Sequence, residues 1–255
     1  MKTKTEKRPD EEAFFLPKGS LMKYDIGIIG AMDAELEELI CALEERNEKT
    51  VSGITYHFGK IFGKSVVIAK CGVGKVFAAA CVTAMAVVFS PALIINTGVG
   101  GGLKKGISVC DLVIGEKICQ HDMDTSPIGD PEGLISGINK VYFESDGRIV
   151  GILSEAARDL GFPCHKGIIA TGDQFVASSA QKERIVSLFS ASVCEMEGGA
   201  VAQAAYLAGI PFAVVRAVSD SADEGSSMDY MKFLPIAAKR SSALVFEFIK
   251  RHQVN

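Results

Sequence analysis

The chain has 255 residues, 48% of them hydrophobic, enough for one large core, and its formal net charge of -4 gives no electrostatic reason to expect nucleic acid or an anionic membrane as a partner. No stretch approaches the roughly 20 uninterrupted apolar residues of a transmembrane helix. Seven cysteines, an odd number with no C-x-x-C pair, read as reduced core thiols of a cytoplasmic protein.

Residues 1–23 are charged and broken by Pro9 and Pro17, and Phe14-Phe15-Leu16 is too short for a signal h-region, so this segment reads as a flexible N-terminal extension. Residues 24–255 read as one domain. DIGIIG, from Asp25, predicts a strand, and a helix follows from Asp33 to about Arg46. ITYHFGK and KSVVIAKC pair through a Phe62-Gly63 turn, and Lys75 to Phe89 is an Ala-rich helix. Ala92 to Thr97 is a buried strand that runs into a glycine loop, Gly98 to Gly102; Asp111 to Glu116 is another strand. The stretch from Gln120 to Lys140 is rich in turn residues and lacks periodicity, as functional loops of that length do. Helices over Gly147–Leu160, Ala180–Phe189 and Gly198–Ala208 alternate with strands over Gly167–Thr171, Ser192–Glu195 and Pro211–Ser219, and a helix from about Met228 to Arg251 closes the chain. This alternation predicts an α/β fold, a three-layer α/β/α sandwich around a mixed, partly barrel-like central sheet.

The costliest placement is Arg216, inside the continuous apolar run from Pro211 to Val218. A guanidinium there needs an anion, and Glu195 and Glu197, two apart, are the nearest candidates, with Asp220 at the strand's C-terminal end. Ligands of open α/β sheets bind at such ends. Glu197 also suits a vicinal diol, because a carboxylate accepts from both hydroxyls, so ribose is a natural ligand. One glutamate neutralising the arginine while the other binds sugar satisfies both demands. Asp33 is a candidate N-cap that places Glu35 in a first helical turn, where the dipole favours an ionised carboxylate that can act as a base towards water.

Other segments carry weaker signals. Thr97 to Gly102 lets backbone amides approach a ligand but is neither G-x-G-x-x-G nor a P-loop, which disfavours a dinucleotide or triphosphate. Thr171 to Ala177 offers Phe175 as a flat apolar surface beside free backbone groups, a pairing suited to an aromatic base. His121-Asp122-Met123-Asp124 lacks a second cluster and reads as a polar loop, with no metal expected.

GIIGAMDAELE, CGVGKV, NTGVGG, HDMD, TGDQF, CEMEGGA and VVRAVSD together resemble, in order and spacing, the bacterial 5′-methylthioadenosine/S-adenosylhomocysteine nucleosidases, from about Ile26 to Ile249. The resemblance implies a homodimer without a cofactor that hydrolyses the N-glycosidic bond irreversibly. It assigns Glu35 as the base that activates water and Asp220 as the general acid at the purine. Phe175 would stack on adenine and the Val176 backbone would read the adenine edge. Met196 and Glu197 would clamp the ribose, Arg216 would orient Glu197, Gly100 and Gly101 would lie in the ribose and base loop, and Met32, Tyr230 and Phe233 would surround the sugar and 5′-thio group. Breaking the C1′–N9 bond then needs Asp220 protonated and Glu35 ionised.

Two positions depart from the family pattern. Val99 stands where a serine usually helps to hold the acid, so either Ser219 or Thr97 substitutes for that hydroxyl or activity is altered. Ile128 stands where an aromatic residue often reaches the partner subunit's 5′-thio pocket. A nucleoside phosphorylase would need cations for phosphate, and NTGVGGG has none before Lys104. A nucleoside-binding protein without chemistry would need neither Glu35 nor Asp220.

Overall fold

A computed structural model of the protein describes residues 23–253. The expected N-terminal extension lies outside the described residues except for Lys23. Along the chain the elements are β1 (Ile26–Gly30), α1 (Asp33–Cys41), β2 (Glu44–Val51), β3 (Ile54–Ile61), β4 (Lys64–Lys70), α2 (Lys75–Phe89), β5 (Ile94–Asn96), β6 (Val99–Gly102), β7 (Leu112–Gln120), β8 (Phe143–Glu144), α3 (Gly147–Asp159), β9 (Cys164–Thr171), α4 (Ser179–Phe189), β10 (Val193–Glu195), α5 (Gly198–Ala208), β11 (Phe212–Asp220) and α6 (Ser226–Arg251).

All strands join one mixed sheet in the order β2-β3-β4-β1-β5-β11-β6-β10-β9-β7-β8. An additional antiparallel pairing of β7 with β11, Val113 opposite Arg216, closes β11, β6, β10, β9 and β7 into a five-stranded barrel. The partly barrel-like sheet expected from the sequence is therefore present. One face packs under α1, α3 and α6, through residues such as Leu36, Leu153, Leu244 and Phe248; the other packs under α2 and α5, through Cys81, Met85, Phe89 and Val201. The nine residues of β11 are all buried, because β11 has neighbours on both sides and helices on both faces.

Several elements differ from expectation, among them β8, which was not predicted, and β9, which begins at Cys164 instead of Gly167. The first helix stops at Cys41, and residues 44–46, predicted as its tail, begin the edge strand Glu44–Val51, which is exposed along nearly its whole length. Glu-rich sequence favours a helix, but the Ser52-Gly53 turn, with φ of 51° and 78°, folds this segment back on β3 as a hairpin. The glycine loop is the strand β6, held between β11 and β10. Its glycines are packing requirements: a Cβ on Gly100 would lie 2.8 Å from the Cys194 carbonyl oxygen. β7 also runs four residues beyond the predicted Glu116, to Gln120.

The parallel half of the sheet sets the direction of the site. β1 runs parallel to β4 and β5, β5 to β11, and β11 to β6, so the segments after Gly30, Lys70 and Asn96 emerge at the same end as Asp220. β10, which ends at Glu195, is parallel to β9, which ends at Thr171.

Candidate active site

A cleft of about 550 Å³ opens at this end of the sheet. It is lined by Glu35 with Met32 beside it, Val99 to Gly101 of β6, Phe175 and Val176, Glu195 to Glu197, Ser219 and Asp220, and Tyr230 of α6.

Beneath it lies Arg216, 1% exposed. Its Nη2 donates to a Glu195 carboxylate oxygen and, at 2.6 Å, to Asn96 Oδ1, while Nη1 donates to the carbonyls of Val215 (2.9 Å) and Asn96 (3.3 Å). The two glutamates differ in how they meet the arginine. Both oxygens of Glu195 are taken: one accepts from the Thr171 hydroxyl, the other from Arg216 and from the amides of Glu197 (3.0 Å) and Gly198 (2.7 Å) at the start of α5. Glu195 thus neutralises the arginine and caps α5 together, with most of its acceptor capacity used inside the protein. Glu195 nonetheless lines the cleft with Met196 and Glu197. Glu197 approaches Arg216 only as a 3.8 Å ion pair. Its Oε1 accepts from the Gly74 amide at 3.0 Å. Burial, with Glu195 beside it, pushes the Glu197 carboxyl up to about 7, against the pull of Arg216 and the Gly74 amide. Burial opposes the charge on Arg216 as well, and the carboxylates of Glu195, Glu197 and Glu35 outweigh it.

Glu35 is also almost fully buried. Its Oε2 accepts from the amides of Ala31 (2.7 Å) and Met32 (3.0 Å), and Oε1 from the Val99 amide (3.1 Å). The N-cap of α1 is Met32, not Asp33, because Glu35 at the third helical position reaches back to the cap amides; Asp33 pairs with Lys70 outside. Burial raises the Glu35 carboxyl above its ordinary range, opposed by Arg216 and the three amides. The dipole argument from the sequence, which kept Glu35 an ordinary ionised carboxylate, omitted that burial. A Cβ on Gly98 would stand 2.6 Å from Glu35 Oε1, so a glycine there leaves room for this carboxylate.

Asp220 ends β11 after a bulge. Val218 lies opposite Gly100 and Asp220 opposite Gly101, so Ser219 is the extra residue and the strand's alternation is reset just where the acid stands. Asp220 Oδ2 accepts from the Ser219 hydroxyl at 2.8 Å and Oδ1 from the Ala222 amide at 2.9 Å. Ser219 therefore supplies the hydroxyl missing at Val99. Thr97 does not: its hydroxyl is 2.6 Å from that of Ser241 on α6.

The family model of the phosphorylase superfamily matches residues 25–250. A 5′-methylthioadenosine/S-adenosylhomocysteine nucleosidase of Haemophilus influenzae (strain PittEE) is 40% identical over 227 residues, 89% of this chain and 99% of that protein. The chain belongs to this nucleosidase family. A Neisseria meningitidis family member, solved in complex with methylthio-immucillin-A, superposes with a TM-score of 0.87 at 35% identity, covering 91% of this chain and 100% of that one. A Helicobacter pylori futalosine hydrolase superposes with a TM-score of 0.86 at 32% identity, covering 91% and 99%.

In this family member most of the sequence-predicted site residues face one cleft. The Phe175 ring stands edge-on to Tyr230, with centroids 5.5 Å apart at 84°, and the Tyr230 hydroxyl donates to Met32 Sδ at 3.2 Å. Three predicted residues are not on the wall: Arg216 lies beneath it, Phe233 is one helical turn beyond Tyr230, and Ile128, 81% exposed, sits in a short 3₁₀ turn. Ala31, Val73, Gln174 and Cys194 line the cleft and were not predicted. Cys194 is a buried thiol pushed up to about 12, first by burial, and so is unreactive packing against Gly101. The Gly74 amide also escaped the sequence reading, since its contribution is a backbone group. Replacing Arg216 with methionine should destabilise the fold by about 3–5 kcal/mol in denaturant titration, because Glu195 is left as a buried, unpaired carboxylate; a loss below about 1 kcal/mol would mean that Glu195 is balanced by its amide donors alone.

Proposed function

We propose that this chain hydrolyses the N-glycosidic bond of 5′-methylthioadenosine and S-adenosylhomocysteine, and of 5′-deoxyadenosine, to adenine and the corresponding free sugar. One observation carries the reading: two carboxylates, Glu35 and Asp220, line one cleft in different surroundings, and no lysine, arginine or histidine is among the described residues of its wall. The names of the relatives point the same way.

In this reading Asp220 in its acid form donates a proton to purine N7 as electrons flow from the breaking C1′–N9 bond into the base, and Ser219 holds the carboxyl in place. Positive charge builds on the sugar as the bond opens. Glu35, facing the same cleft, takes a proton from water while the water oxygen bonds to C1′, so one water is consumed and each product leaves complete. Ionised Glu197 accepts from the ribose hydroxyls, Met196 packs the sugar, and Phe175 covers the face of the base. Val176 presents its backbone to the base edge, and Tyr230 and Met32 flank the 5′ substituent.

A phosphorylase would bring a phosphate dianion beneath the ribose, where Glu35, Glu195 and Glu197 are concentrated around one guanidinium. Arg216 already donates to Glu195 and Asn96. The absence of a cation on the wall favours water.

We further propose a homodimer. A groove of about 1200 Å³ between α2 and α5, lined by Val76, Val87, Ala204 and Leu207, leaves Val76 81% exposed, and a second copy would cover it. The seven cysteines carry no disulfide, which suits the cytoplasm.

The first test is adenine release from 5′-methylthioadenosine. Glu35→Gln and Asp220→Asn should each lower kcat by about 100- to 10,000-fold with the fold intact; near-parental turnover in either removes that residue's role. The pH dependence follows from the raised carboxyls. Groups that must be ionised and have raised pKa values support activity above those values and lose it as pH falls through them. The acid limb of kcat/KM should therefore lie well above the ordinary carboxylate range, and its apparent pKa values belong to Glu35 and Glu197 jointly. A limb near pH 4.5, the ordinary glutamate value, would contradict this.

A further inference from the structure

Three residues outside the cleft form a closed ring of hydrogen bonds. The Lys75 amide donates to Asp173 Oδ1 (2.8 Å), the Asp173 amide to Asp122 Oδ2 (2.9 Å), and Lys75 Nζ to Asp122 Oδ1 (2.7 Å). Each residue touches the other two, and none of them lines the cleft.

The ring unites three segments distant in sequence: the first residue of α2, the turn after β7 and the turn after β9. A second brace backs it. The buried His121 ring lies over Gly172, where a Cβ would come within 2.4 Å of Nε2. Two of the joined segments carry cleft residues. Gly74, next to Lys75, holds Glu197 through its amide, and Phe175 lies two residues after Asp173.

Lys75 is an odd choice for helix stability. A cation at a helix N-terminus opposes the dipole, and α2 has no acidic residue of its own in the first turn. Two carboxylates from elsewhere cap α2 instead: Asp173 on the Lys75 amide and Glu197 on the Gly74 amide. The loop before the helix, Cys71-Gly72-Val73-Gly74, has no local preference to fix it, since Gly72 and Gly74 have φ of +94° and +102°. Something outside the loop has to set where the Gly74 amide points.

We propose that Lys75, Asp122 and Asp173 are positioning residues that lock the sugar-binding Glu197 and the base-stacking loop around Phe175 into one arrangement before the nucleoside arrives. The ring does no chemistry and touches no substrate. Its effect is preorganisation: without it, Glu197 loses a fixed donor and Phe175 a fixed platform, and binding has to order both.

This inference rests on the nucleosidase reading, and two measurements separate their fates. Turnover of 5′-methylthioadenosine by the parent protein tests the reading. The ring is tested in Asp122→Ala and Lys75→Met, neither of which touches the cleft. Each should raise KM by about tenfold while kcat stays within about threefold, and the double variant should be no worse than the poorer single one, since both break the same ring. Asp122→Asn, which can still accept from the Asp173 amide, should fall between parent and Asp122→Ala. Calorimetry with adenine alone reads the base loop without turnover, and its Kd should weaken in step with KM.

A merely structural ring would reduce the active fraction, lowering apparent kcat at unchanged KM and adenine Kd. That pattern, additive losses in the double variant, or no detectable adenine binding to the parent would overturn the proposal. Absence of parent turnover, with adenine binding that still weakens in both variants, would sink the nucleosidase reading and leave the ring standing.

Discussion

The buried pairing of Arg216 with Glu195 is the constraint around which the site is arranged. A guanidinium inside β11 is tolerated because the Glu195 carboxylate, two carbonyls and the Asn96 side chain accept from it and the carboxylates of Glu197 and Glu35 lie close by. Glu195 in turn is held by Thr171 across the β9–β10 ladder and by two amides of α5. Arg216 therefore fixes the strand end and helix start on either side of Glu197, without engaging Glu197 closely. This is how two glutamates on one cleft wall become different: Glu195 is paired with the arginine, while Glu197 keeps a looser contact and a raised pKa.

Backbone amides do much of the remaining work. Amides around the starts of α1, α2 and α5 are turned towards Glu35, Glu197 and Glu195 respectively, so the carboxylates are held by peptide dipoles and only one guanidinium is buried among them. The helices lie on both faces of the sheet; the parallel strands β1 and β4 release the starts of α1 and α2 at one end, whereas β10, antiparallel to β6, brings the start of α5 to the same cleft from the opposite direction. Asp220 is outside this scheme. It takes a hydroxyl and a single amide, and its aim comes from the bulge at Ser219.

Much of this was legible in the sequence because buried periodicity is a strong signal. The limits of α2 and α5 and the apolar run of β11 follow from it directly. β2 was not legible: it is exposed at a sheet edge, so its pairing with β3 is fixed by a two-residue turn and leaves no alternation in a charged stretch. β6 was hidden for the opposite reason, since glycine carries no side chain to alternate. The resemblance supplied roles for Glu35, Asp220, Phe175 and Glu197, and the fold brings all four to one cleft. Which glutamate pairs with Arg216, and whether Ser219 or Thr97 replaces the hydroxyl absent at Val99, depended on a bulge and on α6 packing across the site, and both are long-range facts. Gly74 contributes an amide that every residue type except proline has, so nothing in its identity marked it.

In the proposed reaction this cleft uses water and excludes phosphate, because its charge is carboxylate held around a single engaged guanidinium. The most direct measurement follows adenine and reducing sugar released from 5′-methylthioadenosine in phosphate-free buffer, and then with inorganic phosphate added. Hydrolysis gives equal amounts of adenine and free 5-methylthioribose, at a rate that added phosphate does not increase. Turnover that requires phosphate and yields a sugar 1-phosphate would contradict it.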